Sequence, residues 1–135
     1  MKRFIIVLLS ALILAGCQSK PVTGETVTVA GGYYKNVTAD ELREMLKNKD
    51  FVFVNVHIPY AGDITDTDSS IPYDGIEQNL SQLPSDKNAK IMLYCRSGRM
   101  SAIAAEKLVA LGYSNVWNLD GGMLGWEQAG FEIEN

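Results

Sequence analysis

The chain has 135 residues, 12 basic and 16 acidic side chains, a formal charge of -4 and two cysteines. That acidic balance argues against a nucleic-acid partner. The length suits one domain with a single core and short extensions, and no internal repeat divides it.

The first residues, Met1-Lys2-Arg3, form a short cationic start before an apolar run from Phe4 to Ala15. A membrane span needs about 20 apolar residues, so this shorter run reads as the apolar region of an export signal. It ends in "LAGC", Leu14 to Cys17. Small residues directly before a cysteine resemble the lipobox of bacterial lipoproteins, which implies lipidation of Cys17 and a mature chain starting there. Loss of Lys2 and Arg3 leaves 10 bases against 16 acids, a balance of -6. Gln18, rather than an aspartate, after the cysteine resembles lipoproteins sorted to the outer membrane. The implied location is the periplasmic face of that membrane in a two-membrane host, and otherwise the outer face of the cell membrane.

Residues 17–32, small, polar and ending in two glycines, read as a tether, so that a folded domain is expected over 33–135. In "VTADELREML", Thr38 and Glu41 form a capping box, Val37 and Leu42 a staple, and Leu42, Met45 and Leu46 one face of a first helix. "FVFVNVH", Phe51 to His57, is aromatic and β-branched with little polar interruption, as in a strand covered on both faces. The aspartates of "DITDTDSS", Asp63, Asp66 and Asp68, fail the spacing of a calcium loop, and Ile71 stands where its turn glycine belongs. A solvated loop is expected there. One histidine and one remaining cysteine give a zinc site little to build on, and no metal is expected.

"DGIEQNLSQL" offers Asp74 and Glu77 as a second capping box and a stripe of Ile76, Leu80 and Leu83, which predicts a second helix. "KIMLY" reads as a buried strand and "SAIAAEKLVAL" as a helix from Met100 or Ser101, with Ala104, Leu108 and Leu111 inward and Gly112 as its stop. "NVWNL" is a short final strand. Strands alternating with helices predict an α/β fold, a central mostly parallel sheet with helices on both faces. Sites in such sheets gather at the carboxyl ends of the strands, where Cys95 lies.

With Cys17 lipidated, Cys95 is the only thiol left on the oxidising side of a membrane and has no internal partner. It is either a reactive thiol or a small core residue. The turn after it is short, and Gly98 supplies the freedom to make it. Backbone N–H groups and the positive end of the next helix then converge on one spot, which suits an anion, and Arg96 and Arg99 add charge. A thiolate is such an anion, and it is the nucleophilic form.

The segment "YCRSGRMSAIAAEKLVALGYSNVWNLDGGMLGWEQAGF" resembles the C-terminal half of a rhodanese-homology domain. The resemblance runs from about Val37 to Phe131, more weakly in its first half. It implies a persulfide on Cys95 and an anion-binding loop of Arg96, Ser97, Gly98, Arg99, Met100 and Ser101. The implied activity moves sulfur from a small sulfur-containing anion such as thiosulfate to cyanide or a thiol, including a protein thiol. It requires no cofactor, and a monomer is expected. Phosphatases and arsenate reductases of this type carry an arginine six residues after the cysteine. Here that position is Ser101 and the arginine comes earlier, as Arg99, so the sulfurtransferase loop is favoured.

The chain departs from the family pattern at three places. It has Asn55-Val56-His57 where Asp-Val-Arg is common, "IPYAGDITDTDSS" where a "GHI" motif follows, and Met100 where an arginine precedes the serine. An ion pair is therefore expected to be absent, and the pocket entrance to be more apolar on one side. His57 suits either orientation of a substrate or a hydrogen bond to the neighbouring loop. Trp126 and Trp117 read as packing residues, and Trp126, in "GGMLGW", is also a candidate at the pocket mouth. The rival functional reading is a sulfur-carrier or protein-binding module that turns over thiosulfate poorly.

Overall fold

A computed structural model describes residue 16 and residues 20–135. Residues 1–15 of the signal segment and residues 17–19, Cys17 among them, lie outside the described residues. Among the described residues six strands form one sheet: β1 (Glu25–Val29), β2 (Gly32–Val37), β3 (Val52–Asn55), β4 (Ser69–Ser70), β5 (Ile91–Tyr94) and β6 (Val116–Leu119), in the order β1-β2-β6-β5-β3-β4. Only the β1–β2 hairpin is antiparallel; every other neighbouring pair runs parallel. Among the described residues three α-helices complete the fold, α1 (Ala39–Leu46), α2 (Arg99–Ala110) and α3 (Gly122–Gln128).

Period-two alternation sends the core strands' side chains to two separate layers. Val54, Ile91, Leu93, Cys95 and Val116 pack with Ala104, Ala105, Leu108 and Val109 of α2. Phe53, Met92, Tyr94, Trp117 and Leu119 pack on the other face with Leu42 of α1 and Met123 and Trp126 of α3. A near-continuous apolar strand such as "IMLY", buried at all four positions, is what covering both faces requires. Each large side chain so buried contributes about 1.5–3 kcal/mol.

The local signals of α1 and α2 are realised in detail. Thr38 accepts from the Glu41 N–H at 3.3 Å, and the Glu41 carboxylate accepts from the Thr38 N–H at 2.9 Å. Helix α2 begins at Arg99, one residue before the earlier of the two expected starts, and Gly112 follows it at φ +93°. Ala104 and Leu108 are fully buried, and Leu111 is half-buried.

Two expectations are corrected. The expected second helix is two short 3₁₀ turns, Tyr73–Gly75 and Glu77–Gln82. Neither has a side-chain cap, so Asp74 and Glu77 form no capping box. The Asn79 amide donates to the Gly75 carbonyl at 2.8 Å beside a non-helical Asn79 backbone (φ -119°), local bonding that competes with the α-helix. Ile76 and Leu83 are buried and Leu80 is half-buried, so the apolar stripe serves the core without the helix.

The second correction concerns the tether. Residues 25–29, within the stretch read as flexible, are strand β1 and pair in register with β2, Glu25 opposite Asn36 and Val29 opposite Gly32. Ala30 and Gly31 join the two strands, with Gly31 at φ +90° making the turn. "TVTV" alternates as a strand does, which glycine-terminated polarity concealed.

Candidate active site

The loop between β5 and α2 places Cys95 at the carboxyl end of a central strand, 1% exposed. Gly98 closes the turn at φ +97° and is the N-cap of α2, a conformation that costs a side-chain-bearing residue about 1–2 kcal/mol. Its N–H donates to Cys95 Sγ at 3.1 Å. The Ser101 hydroxyl lies 3.4 Å from the same sulfur and 3.2 Å from the Gly98 carbonyl, so its one proton serves either acceptor. The first-turn N–H groups of α2 have no acceptor within the helix, which leaves them facing the same end of the sheet.

What turns the loop's amides inward is the disposal of its carbonyls. The Cys95 carbonyl accepts from the Met123 N–H at 2.9 Å, and the Arg96 carbonyl accepts from the Leu124 N–H at 3.0 Å. Both donors belong to the first turn of α3. That contact requires Gly122, at φ +56°, where a Cβ would overlap the Cys95 carbonyl oxygen and lie 2.6 Å from that of Arg96. Sequence reasoning did not assign this clamp. Its signal was the Gly121-Gly122 pair at a helix start, which polarity and periodicity alone do not interpret.

The remaining expected site residues fall as follows. Arg96, Ser97 and Arg99 are exposed around the loop, and neither arginine is in an ion pair among the described residues. Met100 is half-buried and packs on the α2-side core. His57 lies near enough to Arg96 to feel its charge: burial first, and then the Arg96 guanidinium, lower its pKa below the usual histidine value. Its Nδ1 is buried without a hydrogen-bond partner among the described residues, while its backbone N–H donates to Asn55 Oδ1 at 3.0 Å. Trp126 is 2% exposed in the opposite core layer, and its indole N–H donates to the Glu132 carbonyl at 3.0 Å. Trp117 is in that layer too.

Asn55, in place of the family's aspartate, donates to the Gly62 carbonyl at 3.0 Å and to Asp63 at 2.9 Å. Asp63 also accepts from Tyr60 at 2.9 Å and from Tyr94 at 3.1 Å, and the Ile64 N–H donates to the Tyr94 hydroxyl at 3.0 Å. A mostly neutral network thus holds the loop after β3 where an ion pair was expected to be absent. Beside Arg96, a depression of about 40 Å³ is lined by Ala61, Met123, Leu124, Glu127 and Ile133. A cavity of about 700 Å³ lies between α1 and the C-terminal segment and includes none of residues 95–101.

Residues 38–129 match the rhodanese-like domain family. The chain belongs to that family. A sulfurtransferase of Allochromatium vinosum is 31% identical over 101 residues, covering 72% of this chain and 92% of the relative. An uncharacterised Synechocystis protein is 36% identical over 107 residues, covering 76% of this chain but only 58% of its own length. Among solved structures, a rhodanese-like domain protein of Staphylococcus aureus superposes with a TM-score of 0.62 at 33% identity, covering 75% of this chain and 99% of that one. Residues 1–18 match the prokaryotic membrane lipoprotein lipid attachment site, which points to a lipid-anchored protein of the cell envelope. Among the described residues no helix is long and apolar enough to cross a membrane.

Proposed function

We propose that this rhodanese-like domain is a sulfurtransferase of the thiosulfate type that works through a persulfide on Cys95. The observation that carries the reading is the pair of donors on the sulfur, the Gly98 N–H at 3.1 Å and the Ser101 hydroxyl at 3.4 Å. Donors so placed stabilise a sulfur anion such as the terminal sulfur of a persulfide. The first step joins Cys95 Sγ to the sulfane sulfur of thiosulfate, and sulfite leaves with the electron pair of the broken S–S bond. In the second step cyanide or a thiolate attacks the outer sulfur, and the Cys95 thiolate is released. Two displacements through one covalent intermediate predict ping-pong kinetics. The outer sulfur of a persulfide stands about 2.05 Å from Sγ.

Ser101 at the sixth position after Cys95 offers no guanidinium to grip a transferring phosphoryl group, which disfavours phosphatase chemistry. The two proposed displacements call for no group beyond the protein, the donor and the acceptor. We further propose that residues 1–16 are removed and that Cys17 bears the lipid, placing the domain on the periplasmic face of the outer membrane in a two-membrane host.

The test is thiosulfate-to-cyanide transfer by the wild-type chain beside Cys95→Ser. Turnover is expected in the first and none in the second. Turnover that survives the substitution overturns the assignment of Cys95. A wild type that binds one extra sulfur by mass spectrometry yet does not turn over is a carrier module rather than an enzyme.

A further inference from the structure

The parallel sheet has two unlike ends, and the lipid-bearing segment leaves from the one opposite Cys95. The course of the chain from Gly24 back to Lys20 fixes this end. Gly24 turns at φ +65° against Asn36 and Trp117, at the open end of the β1–β2 hairpin, toward the carboxyl ends of the parallel strands. From there the chain descends: the Thr23 carbonyl accepts from Lys35 Nζ at 3.0 Å, and Val22 packs on the α1-side core. Lys20, Pro21 and Val22 then lie against Glu44, Met45, Asn48, Asp50 and Lys90. Those last residues end α1 or immediately precede β3 and β5, so Lys20 sits at the base of the sheet. Cys95 is five residues up β5 from Lys90, about 16 Å at strand rise.

Cys17 is three residues before Lys20, a reach of about 10 Å at full extension. A domain of roughly a hundred residues is on the order of 30 Å across. A leash of that length cannot pass round the domain to let its far end meet the lipid. The base also differs in charge. It gathers Lys20, Lys47, Lys49, Lys87 and Lys90, five of the eight lysines in a chain of net charge -4, together with the carboxylates of Glu44, Asp50, Asp68 and Asp86. Lys47 and Lys90 are paired there with Glu44 and Asp50, and Lys49 with Asp68. Lys20 and Lys87 have no carboxylate partner among the described residues. Such a surface suits anionic headgroups, which the acidic remainder of the chain does not.

We propose that the base of the sheet is a membrane-docking face for an anionic lipid surface, holding the Cys95 loop on the side turned away from the bilayer. Donor and acceptor then reach the sulfur from the aqueous side, and the domain does not swing freely on its anchor. This rests on lipidation at Cys17 and is independent of the reaction at Cys95.

The test uses the full-length lipidated chain on vesicles of phosphatidylethanolamine and phosphatidylglycerol carrying a headgroup spin label. In a Cys95→Ser background, a fluorophore is attached either at Asn48→Cys, exposed at the base, or at Glu127→Cys, exposed beside Arg96. Quenching several-fold stronger at position 48 than at 127 is expected. Equal or reversed quenching on protein that floats with the vesicles overturns the orientation alone. Protein that does not float overturns the lipid anchor and the orientation with it.

Discussion

Two loops leave the carboxyl ends of neighbouring strands, and they are held by opposite means. The loop after β5 is fixed through main-chain bonds, its Cys95 and Arg96 carbonyls accepting from Met123 and Leu124 N–H groups. It works because atoms are missing at Gly98 and Gly122. The loop after β3 is fixed by side chains that are present, Asn55, Tyr94, Asp63 and Thr67. The first is broken by adding an atom and the second by removing one.

The largest effect is therefore expected from the smallest addition. Gly122→Ala drives a methyl group into the Cys95 and Arg96 carbonyls at φ +56°. Overpacking at about 1–3 kcal/mol and left-handed strain at about 1–2 kcal/mol together predict a loss of roughly 3 kcal/mol. For a domain of this size that lowers the melting temperature by at least about 10 °C, and sulfur transfer is abolished. Gly112→Ala is the control, because φ is +93° but nothing lies within 4 Å of the added carbon. It carries the strain without the overlap and is expected to keep full activity in the folded protein. Equal loss in the two variants would show that backbone strain, not the clamp on Cys95, governs the site.

This contrast also explains what was legible in the sequence. "YCRSGRMS" announces its loop through residue types whose chemistry is local: a thiol, a glycine in a tight turn, a helix start. Its clamp was not legible, because Gly122 is 27 residues from Cys95 and acts through backbone contact across the fold. The strands of the core were readable from continuous apolar runs, and α1 from a capping box that forms as written. The same box at Asp74 and Glu77 failed, because Pro72, Gly75 and the Asn79 side chain favour tighter turns. Strand β1 was missed because the glycine pair that follows it outweighed the alternation in "ETVTV". For the loop after β3, the departures from the family pattern could be named, but the network replacing them needs Tyr94, 30 residues from its partner Ile64.

A moderate effect is expected from removing one oxygen of that network. Tyr94→Phe leaves the buried Ile64 N–H without its acceptor at 3.0 Å and removes a donor to Asp63. A cost of about 1–3 kcal/mol follows, read as a fall in melting temperature. Because the β5 loop keeps its own clamp, sulfur transfer per folded molecule should fall far less than in Gly122→Ala. Burial is the main reason that the Tyr94 hydroxyl is held far above the usual tyrosine range, and Tyr34 is raised by burial too. The unfolded chain releases these protons near pH 10 while the folded one retains them, so stability is undiminished below that pH and falls above it. Denaturation followed from pH 8 to 11 should show a shallower fall in Tyr94→Phe. A fall of the same slope would mean that the hydroxyl does not titrate differently in the two states.

The smallest effect tests whether the two loops sense each other at all. His57 ends the first stretch and Arg96 opens the second, and burial followed by the Arg96 charge lowers the histidine pKa below its ordinary value of about 6.5. The unfolded chain takes up the proton first as pH falls, so stability is full above about pH 6.5 and declines below it, through the folded value. Arg96→Gln removes the second cause and leaves the first. The His57 ring-proton NMR titration should move upward and remain below the ordinary value, with a correspondingly smaller loss of stability on acidification. An unchanged titration would mean that solvent screens Arg96 from His57, leaving the side-chain-held loop and the glycine-clamped loop independent in charge as well as in structure.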